Sequence, residues 1–189
     1  MREGLPDSRR LAILLMITCG YRTEEVIGLT WQRFDEKRGT LSIVEVRTQD
    51  DPNKTKPKSE KSKRTTPLHP EMVRILKAWK EKQSELLKKN GLDQNPFTHI
   101  ITSAIGTDMH PNNLRRWWNK WRGKNGFEGV HFHQFRHTYA TNLMASGVDI
   151  ISASSLLGDS EKMVKDVYAH AVTDNLIVAN KKLGDSILK

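Results

Sequence analysis

Apolar residues recur at helical spacing along most of this chain and at strand spacing in one stretch only. The apolar run 11–19 predicts a helix that leaves at Gly20, since glycine enters the left-handed conformation that ends helices at little steric cost. Thr23 then reads as an N-cap. Glu24 and Glu25 follow in the first turn, at the positive end of the helix dipole, before Val26, Ile27 and Leu29. Leu41, Ile43, Val44 and Val46 among polar neighbours, and then residues 64–68, predict two strands joined by a long basic loop. Pro70 opens a helix in which Met72, Ile75, Leu76 and Trp79 fall on one face and form a core stripe, closing near Gly91. Pro111 opens another, with Leu114, Trp117, Trp118 and Trp121 as its stripe and Arg115, Arg116, Lys120 and Arg122 on the other faces. Further helices are expected over 131–146, stopped by Gly147, and over 149–157 and 161–169. The fold class is therefore mainly α with a small antiparallel β-sheet, an α+β arrangement.

A chain of 189 residues can bury one substantial core. Its 31 Lys and Arg against 22 Asp and Glu leave a net charge of +9, which favours a polyanionic partner. The single cysteine, Cys19, lies in an apolar run and reads as a small core residue, and it excludes an internal disulfide. No stretch is long and apolar enough to span a membrane, and the N-terminus lacks a secretory pattern, so a cytoplasmic protein is expected. His131 and His133 have no cysteine or paired acid beside them, so neither a metal nor another cofactor is expected.

The candidate chemistry lies in the last third. His133 and Arg136 are three positions apart and share a helical face, which suits holding one phosphate, and Tyr168 follows as a nucleophile that could attack it. Phosphodiester cleavage without a metal needs cationic donors on the non-bridging oxygens, a nucleophile, and an acid for the leaving oxygen. Arg22 and Arg136 are the natural clamp because guanidinium is permanently charged and binds phosphate in a fork. Tyr168 has to be weighed against Tyr21 and Tyr139, all three being able to serve as amphipathic core residues, and only Tyr168 follows a glycine-containing loop. A tyrosine needs help to ionise at neutral pH, and His133 can accept its proton, donate to the phosphate, or simply pack in its helix. Helically spaced tryptophans are more often core than base-stacking platforms, which makes the neighbouring arginines the better phosphate contacts, Arg115 and Arg116 foremost.

Three segments carry a family resemblance that extends from about Leu11 to His170. Thr18-Cys-Gly-Tyr-Arg22-Thr-Glu-Glu-Val-Ile-Gly-Leu-Thr-Trp31 is similar to the first arginine box of the phage integrase, or tyrosine recombinase, family. His133-Gln-Phe-Arg136-His-Thr-Tyr-Ala-Thr resembles the second, and Leu156-Leu-Gly-Asp-Ser through Tyr168-Ala-His resembles the nucleophile segment. The resemblance implies the tyrosine recombinase catalytic-domain fold. It implies that Arg22 and Arg136 hold the scissile phosphate, that His133 assists proton transfer, that Tyr168 forms a 3′-phosphotyrosyl bond, and that Glu25 braces the site. Lys58-Ser-Glu-Lys-Ser-Lys-Arg64-Thr-Thr-Pro-Leu68 looks like the family pattern Lys-Thr-x-x-Ser-x-Arg-x-x-Pro-Leu, making Lys58 the general acid and Arg64 a DNA contact.

Integration or excision of a mobile element on double-stranded DNA is the activity so implied, with a homo-tetramer at synapsis. The alternatives are a catalytically impaired DNA-binding module and a type IB topoisomerase-like relaxing enzyme. One departure bears on them: Asp159 stands where most of the family has histidine or tryptophan. A carboxylate there would repel phosphate if aimed at it, or would orient an arginine if turned aside. Residues 1–172 are expected to be the catalytic domain. Residues 173–189 read as a weakly amphipathic helical tail for which a neighbouring protomer is an available surface. The upstream core-binding domain of the family is absent from the chain, which reads as an excised domain or a truncated product.

Overall fold

Asp7 starts the first helix, its carboxylate accepting the Arg10 backbone N–H at 2.8 Å. The computed structural model describes residues 7–47 and 63–169. Helix α1 (Ser8–Cys19) ends at Gly20, whose φ of +65° closes the last turn onto Met16. Gly20 is also a close-approach point, because a Cβ there would lie 2.4 Å from the Tyr139 ring. Helix α2 (Thr23–Gly28) begins one residue from the expected place. Its N-cap is Arg22, whose backbone N–H donates to the Glu25 carboxylate at 2.9 Å, and Thr23 is the first helical residue. A glutamate three residues after the cap reaches back to the cap amide, and that bond sets the boundary.

A short 3₁₀ turn (Trp31–Arg33) leads into a three-stranded antiparallel sheet of order β1 (Phe34–Asp35), β2 (Thr40–Ile43), β3 (Arg64–Pro67). The register pairs Leu41 with Thr66 and Ile43 with Arg64. The two-residue β1 is too short to show a period and was not expected. Val44 and Val46 lie past the end of β2, where the chain turns back so that Arg47 N–H donates to the Glu24 carbonyl at 3.0 Å.

Helix α3 (Pro70–Lys89) buries Met72, Leu76 and Trp79, as their spacing requires, and adds a buried Gln83. That amide is fully engaged: its oxygen accepts the Trp31 indole N–H at 2.6 Å and its nitrogen donates to the His99 and Ile100 carbonyls. Helix α4 (Pro111–Lys124) presents Trp118 to the core, with Trp117 and Trp121 packed partly buried around it. The tryptophans are thus structural: Trp118 stacks on Trp121, packs tilted against Trp117 and Phe132, and meets Phe135 edge-on. Helices α5 (Phe132–Ala145) and α6 (Ile150–Leu157) and a further helix over 161–169 complete the described residues. None of the described helices is long and apolar enough to cross a membrane.

The main core gathers α1, α2, the sheet, α3 and α4. A smaller cluster of Ala140, Ala153, Leu157 and Val164 binds α6 and the 161–169 helix to α5. Each fully buried leucine or isoleucine in these cores stabilises the fold by about 1.5–3 kcal/mol. The α1–α5 contact joins the two clusters, and the polar site lies over that seam. Cys19 is core, and burial pushes its thiol up to about 11.

Candidate active site

A cleft of about 570 Å³ opens over the seam, lined by Arg22 and Thr23 from the start of α2, by Arg115, Trp118 and Arg122 from α4, and by His131, His133, Arg136 and His137 from the start of α5. Leu157, Asp159, Met163, Val164 and Val167, from the end of α6 onward, complete the lining. Arg22 arrives from the start of α2, and His133 and Arg136 arrive from the first turns of α5.

Beneath the cleft runs a chain of alternating charge. Arg64 forks onto Glu25, Nη1 to Oε1 at 3.0 Å and Nη2 to Oε2 at 2.8 Å. Glu25 also accepts Arg22 Nη1 at 3.0 Å. Arg22 Nη2 donates to Asp159 Oδ1, and Asp159 Oδ2 accepts from Arg136 Nε at 3.1 Å and Nη2 at 2.5 Å. Arg136 makes two further bonds to backbone, Nη1 to the Gly20 carbonyl at 2.7 Å and Nη2 to the Leu157 carbonyl at 2.6 Å. Both carbonyls sit beside helix-ending glycines of positive φ, Gly20 itself and Gly158 at +64°. Gly158 also lets Arg64 pass, since a Cβ there would lie 2.9 Å from its Nη1.

Burial alone would raise the Glu25 carboxyl, but the hydrogen bonds and charge of Arg64 outweigh it and hold the group below the usual carboxylate range. Asp159 behaves likewise. Its burial is overcome by the bonds and charge of Arg136, with Arg22 adding to them. Arg22 is raised, its burial being outweighed by Glu25 and Asp159, whereas burial and the charge of Arg22 lower Arg136. Burial and the neighbouring His133 lower His137, favouring its neutral form.

The structure brings Arg22, His133, Arg136 and Asp159 into one cleft, with Arg115 on its wall and Glu25 below. Arg116 is exposed, donates to Asn113 at 2.7 Å, and lies off the cleft wall. Arg64, expected as a DNA contact, has a side chain only 5% exposed that engages Glu25 and the Leu156 carbonyl, the latter at 2.7 Å. Asp159 contacts arginines through both oxygens. Tyr168 is on the 161–169 helix, partly buried, one residue past the cleft-lining Val167 and off the wall itself. Lys58 and the tail 173–189 lie outside the described residues.

No site role is expected from the sequence for His131 or His137, which line this cleft, whereas Arg122 is one of the arginines expected beside the tryptophan stripe. Arg122 Nη1 reaches the Val130 carbonyl at 2.7 Å and His131 Nδ1 at 3.0 Å. The rings of His131 and His133 are stacked 5.8 Å apart, and His137 meets His133 edge-on at 5.6 Å. The i, i+4 spacing of His133 and His137 was the available signal. Two guanidiniums, three imidazoles and two further arginines on one open concavity suit a phosphate backbone.

Residues 3–174 match the phage integrase family. A XerC-like tyrosine recombinase of Caldanaerobacter subterraneus subsp. tengcongensis is 29% identical over 98% of this chain and 51% of its own length. The ICEBs1 integrase of Bacillus subtilis is 26% identical over 88% and 46% respectively. This chain thus spans about half the length of these curated relatives. Among solved structures, the Tn1549 transposon integrase in complex with transposon right end DNA superposes with a TM-score of 0.67 at 18% identity, covering 97% of this chain and 61% of that one. XerH site-specific recombinase in a post-cleavage complex with difH substrate gives 0.65 at 22% identity, over 91% and 44%. Mostly helical architecture with one small antiparallel sheet is what these folds share with it.

Proposed function

Because the chain belongs to the phage integrase family, we propose that it is the catalytic domain of a site-specific DNA recombinase, cutting and rejoining double-stranded DNA through a 3′-phosphotyrosyl intermediate to integrate or excise a mobile element. One observation carries the reading. Two guanidiniums from distant parts of the chain, Arg22 and Arg136, converge on the two oxygens of a single carboxylate beside His133. Such a pair fits the non-bridging oxygens of a phosphodiester, whose charge grows as phosphorus becomes five-coordinate.

The Tyr168 oxygen attacks phosphorus as the P–O5′ bond breaks. His133 takes the phenol proton, and Lys58 supplies one to the departing 5′ oxygen. The bond energy is conserved in the phosphotyrosyl ester, and attack by a 5′ hydroxyl from a partner strand reverses the step, so the chemistry draws on no nucleotide cofactor. For attack, the Tyr168 ring turns into the cleft from its place beside Val167. Glu25 and Arg64 hold Arg22 in register from below, and Arg115 supports the flanking backbone.

Residues 1–172 form the catalytic domain in this reading, and 173–189 a tail that packs on a neighbouring protomer of a homo-tetramer synapsed on DNA in the cytoplasm. The test is a suicide duplex nicked so that the 5′ hydroxyl diffuses away. A recombinase accumulates a denaturation-resistant protein–DNA adduct and rejoins to an added 5′ hydroxyl strand. No adduct would mean a silent DNA-binding module, and relaxation of supercoils without exchange between duplexes would mean a type IB topoisomerase-like enzyme.

A further inference from the structure

Asp159 sits where an anion from outside would sit. Its Oδ2 engages Nε and Nη2 of Arg136, the guanidinium edge that forks onto carboxylates and phosphates, while Oδ1 engages Arg22. Nη1 of Arg136 is held by Gly20 and the second hydrogen of Nη2 by Leu157. Among the described residues, four of its five N–H bonds are therefore spent, and the side chain is 11% exposed. Arg136 has no fork to offer a phosphodiester while Asp159 stays.

We propose that Arg22 and Arg136 form an anion seat with two alternative occupants, Asp159 in the free chain and the non-bridging oxygens of a phosphodiester in the loaded one, so that Asp159 is a displaceable plug that sets how tightly the site takes phosphate. The identity of the second occupant rests on the recombinase reading. The existence of the seat does not.

A carboxylate and a phosphodiester each present a two-oxygen edge bearing one negative charge, so exchanging them leaves the charge balance of the seat unchanged. Adding phosphate without exchange would set two anions side by side, which is unfavourable. Asp159 is also placed to leave. It is 21% exposed, against 2% for Glu25, and lies in the short linker between α6 and the 161–169 helix, directly after the left-handed Gly158. The two backbone bonds of Arg136 do not involve Asp159, so they keep the guanidinium in place when the fork edge empties. Departure of Asp159 further removes its own side-chain ties between the arginines and the linker leading to the 161–169 helix, leaving the Leu157 carbonyl bond as the remaining link.

The test uses inorganic phosphate as the probe, titrated into the whole chain at low ionic strength and followed by calorimetry. Asp159→Asn keeps the shape and removes the charge, and its phosphate dissociation constant is expected to fall by about tenfold relative to the parent, the order expected for removing one charge at hydrogen-bond distance from a partly exposed site. Adding Arg136→Met to Asp159→Asn should abolish the gain. Phosphate binding by Asp159→Asn no tighter than by the parent would overturn the plug and leave Asp159 a permanent brace. Asp159→Ser gives the same reading if the asparagine variant does not fold. If neither folds, saturating phosphate must shift the Asp159 carboxyl carbon resonance of the unaltered chain, and an unmoved resonance overturns the proposal. Because this binding needs no cleavage, a chain that gains phosphate affinity yet forms no adduct with nicked DNA would keep the seat and lose the recombinase reading.

Discussion

Arg64 and Glu25 form a closed fork under the site, two N–H···O bonds of 3.0 and 2.8 Å between side chains that solvent hardly reaches. Through Glu25 the fork fixes Arg22, and through the Leu156 carbonyl it fixes the end of α6. Arg64→Met removes the charge, and the carboxylate left behind is buried with only Arg22 to satisfy it. The expected loss is about 3 kcal/mol of unfolding free energy, the low end for breaking a buried pair, read from the urea midpoint. A loss below about 1 kcal/mol, the worth of an exposed pair, would show that the fork does not brace the site.

The same carboxylates set an acid limit. Glu25 and Asp159 both have folded-state values below their ordinary ones. Their contribution to stability is therefore fully present above the unfolded values of about 4 and is lost as pH falls through the depressed folded values. Unfolding free energy should decline steadily below about pH 4, and Asp159→Asn should make that decline shallower. A decline equally steep in the variant would remove Asp159 from the linkage.

Replacing the clamp arginines by lysine keeps charge and removes the fork. Arg22→Lys and Arg136→Lys should each lower adduct formation on nicked DNA by orders of magnitude. Arg136→Lys should also lower the melting temperature, because an ammonium cannot reach the Gly20 and Leu157 carbonyls while holding Asp159. Near-normal cleavage by either variant would exclude that arginine from phosphate binding.

For Lys58 the discriminating substrate carries sulfur at the 5′ bridging position, a leaving group that needs little protonation. Lys58→Ala should be strongly impaired on the oxygen substrate and restored on the sulfur one. Equal defects on both would remove the general-acid role.

Much of this arrangement was legible in the sequence, for reasons that differ by residue. The stripes around Leu76, Trp79, Leu114 and Trp118 are core because period and burial coincide on long helices. Arg22, His133 and Arg136 were legible because their box motifs keep residue type and spacing together. The inward turn of Arg64 was not, since pairing with Ile43 across the sheet and passage against Gly158 depend on contacts far apart in the chain. The posture of Asp159 was likewise open, because it depends on the left-handed turn at Gly158 that aims its carboxylate at the two arginines. The carbonyls of Gly20 and Leu157, which hold Arg136, belong to the backbone and carry no signal in a string of side chains. Strand β1 has two residues, too few for any alternation.

Tyr168 is the residue expected to carry the DNA. Incubation with a nicked suicide duplex, digestion of the denatured product, and mass spectrometry of the nucleotide-bearing peptide identify the attachment site. The modified peptide is expected to contain Tyr168, and Tyr168→Phe to form no adduct while retaining DNA binding, with Tyr21→Phe and Tyr139→Phe still reactive. An adduct on another residue, or one that survives Tyr168→Phe, would contradict this assignment.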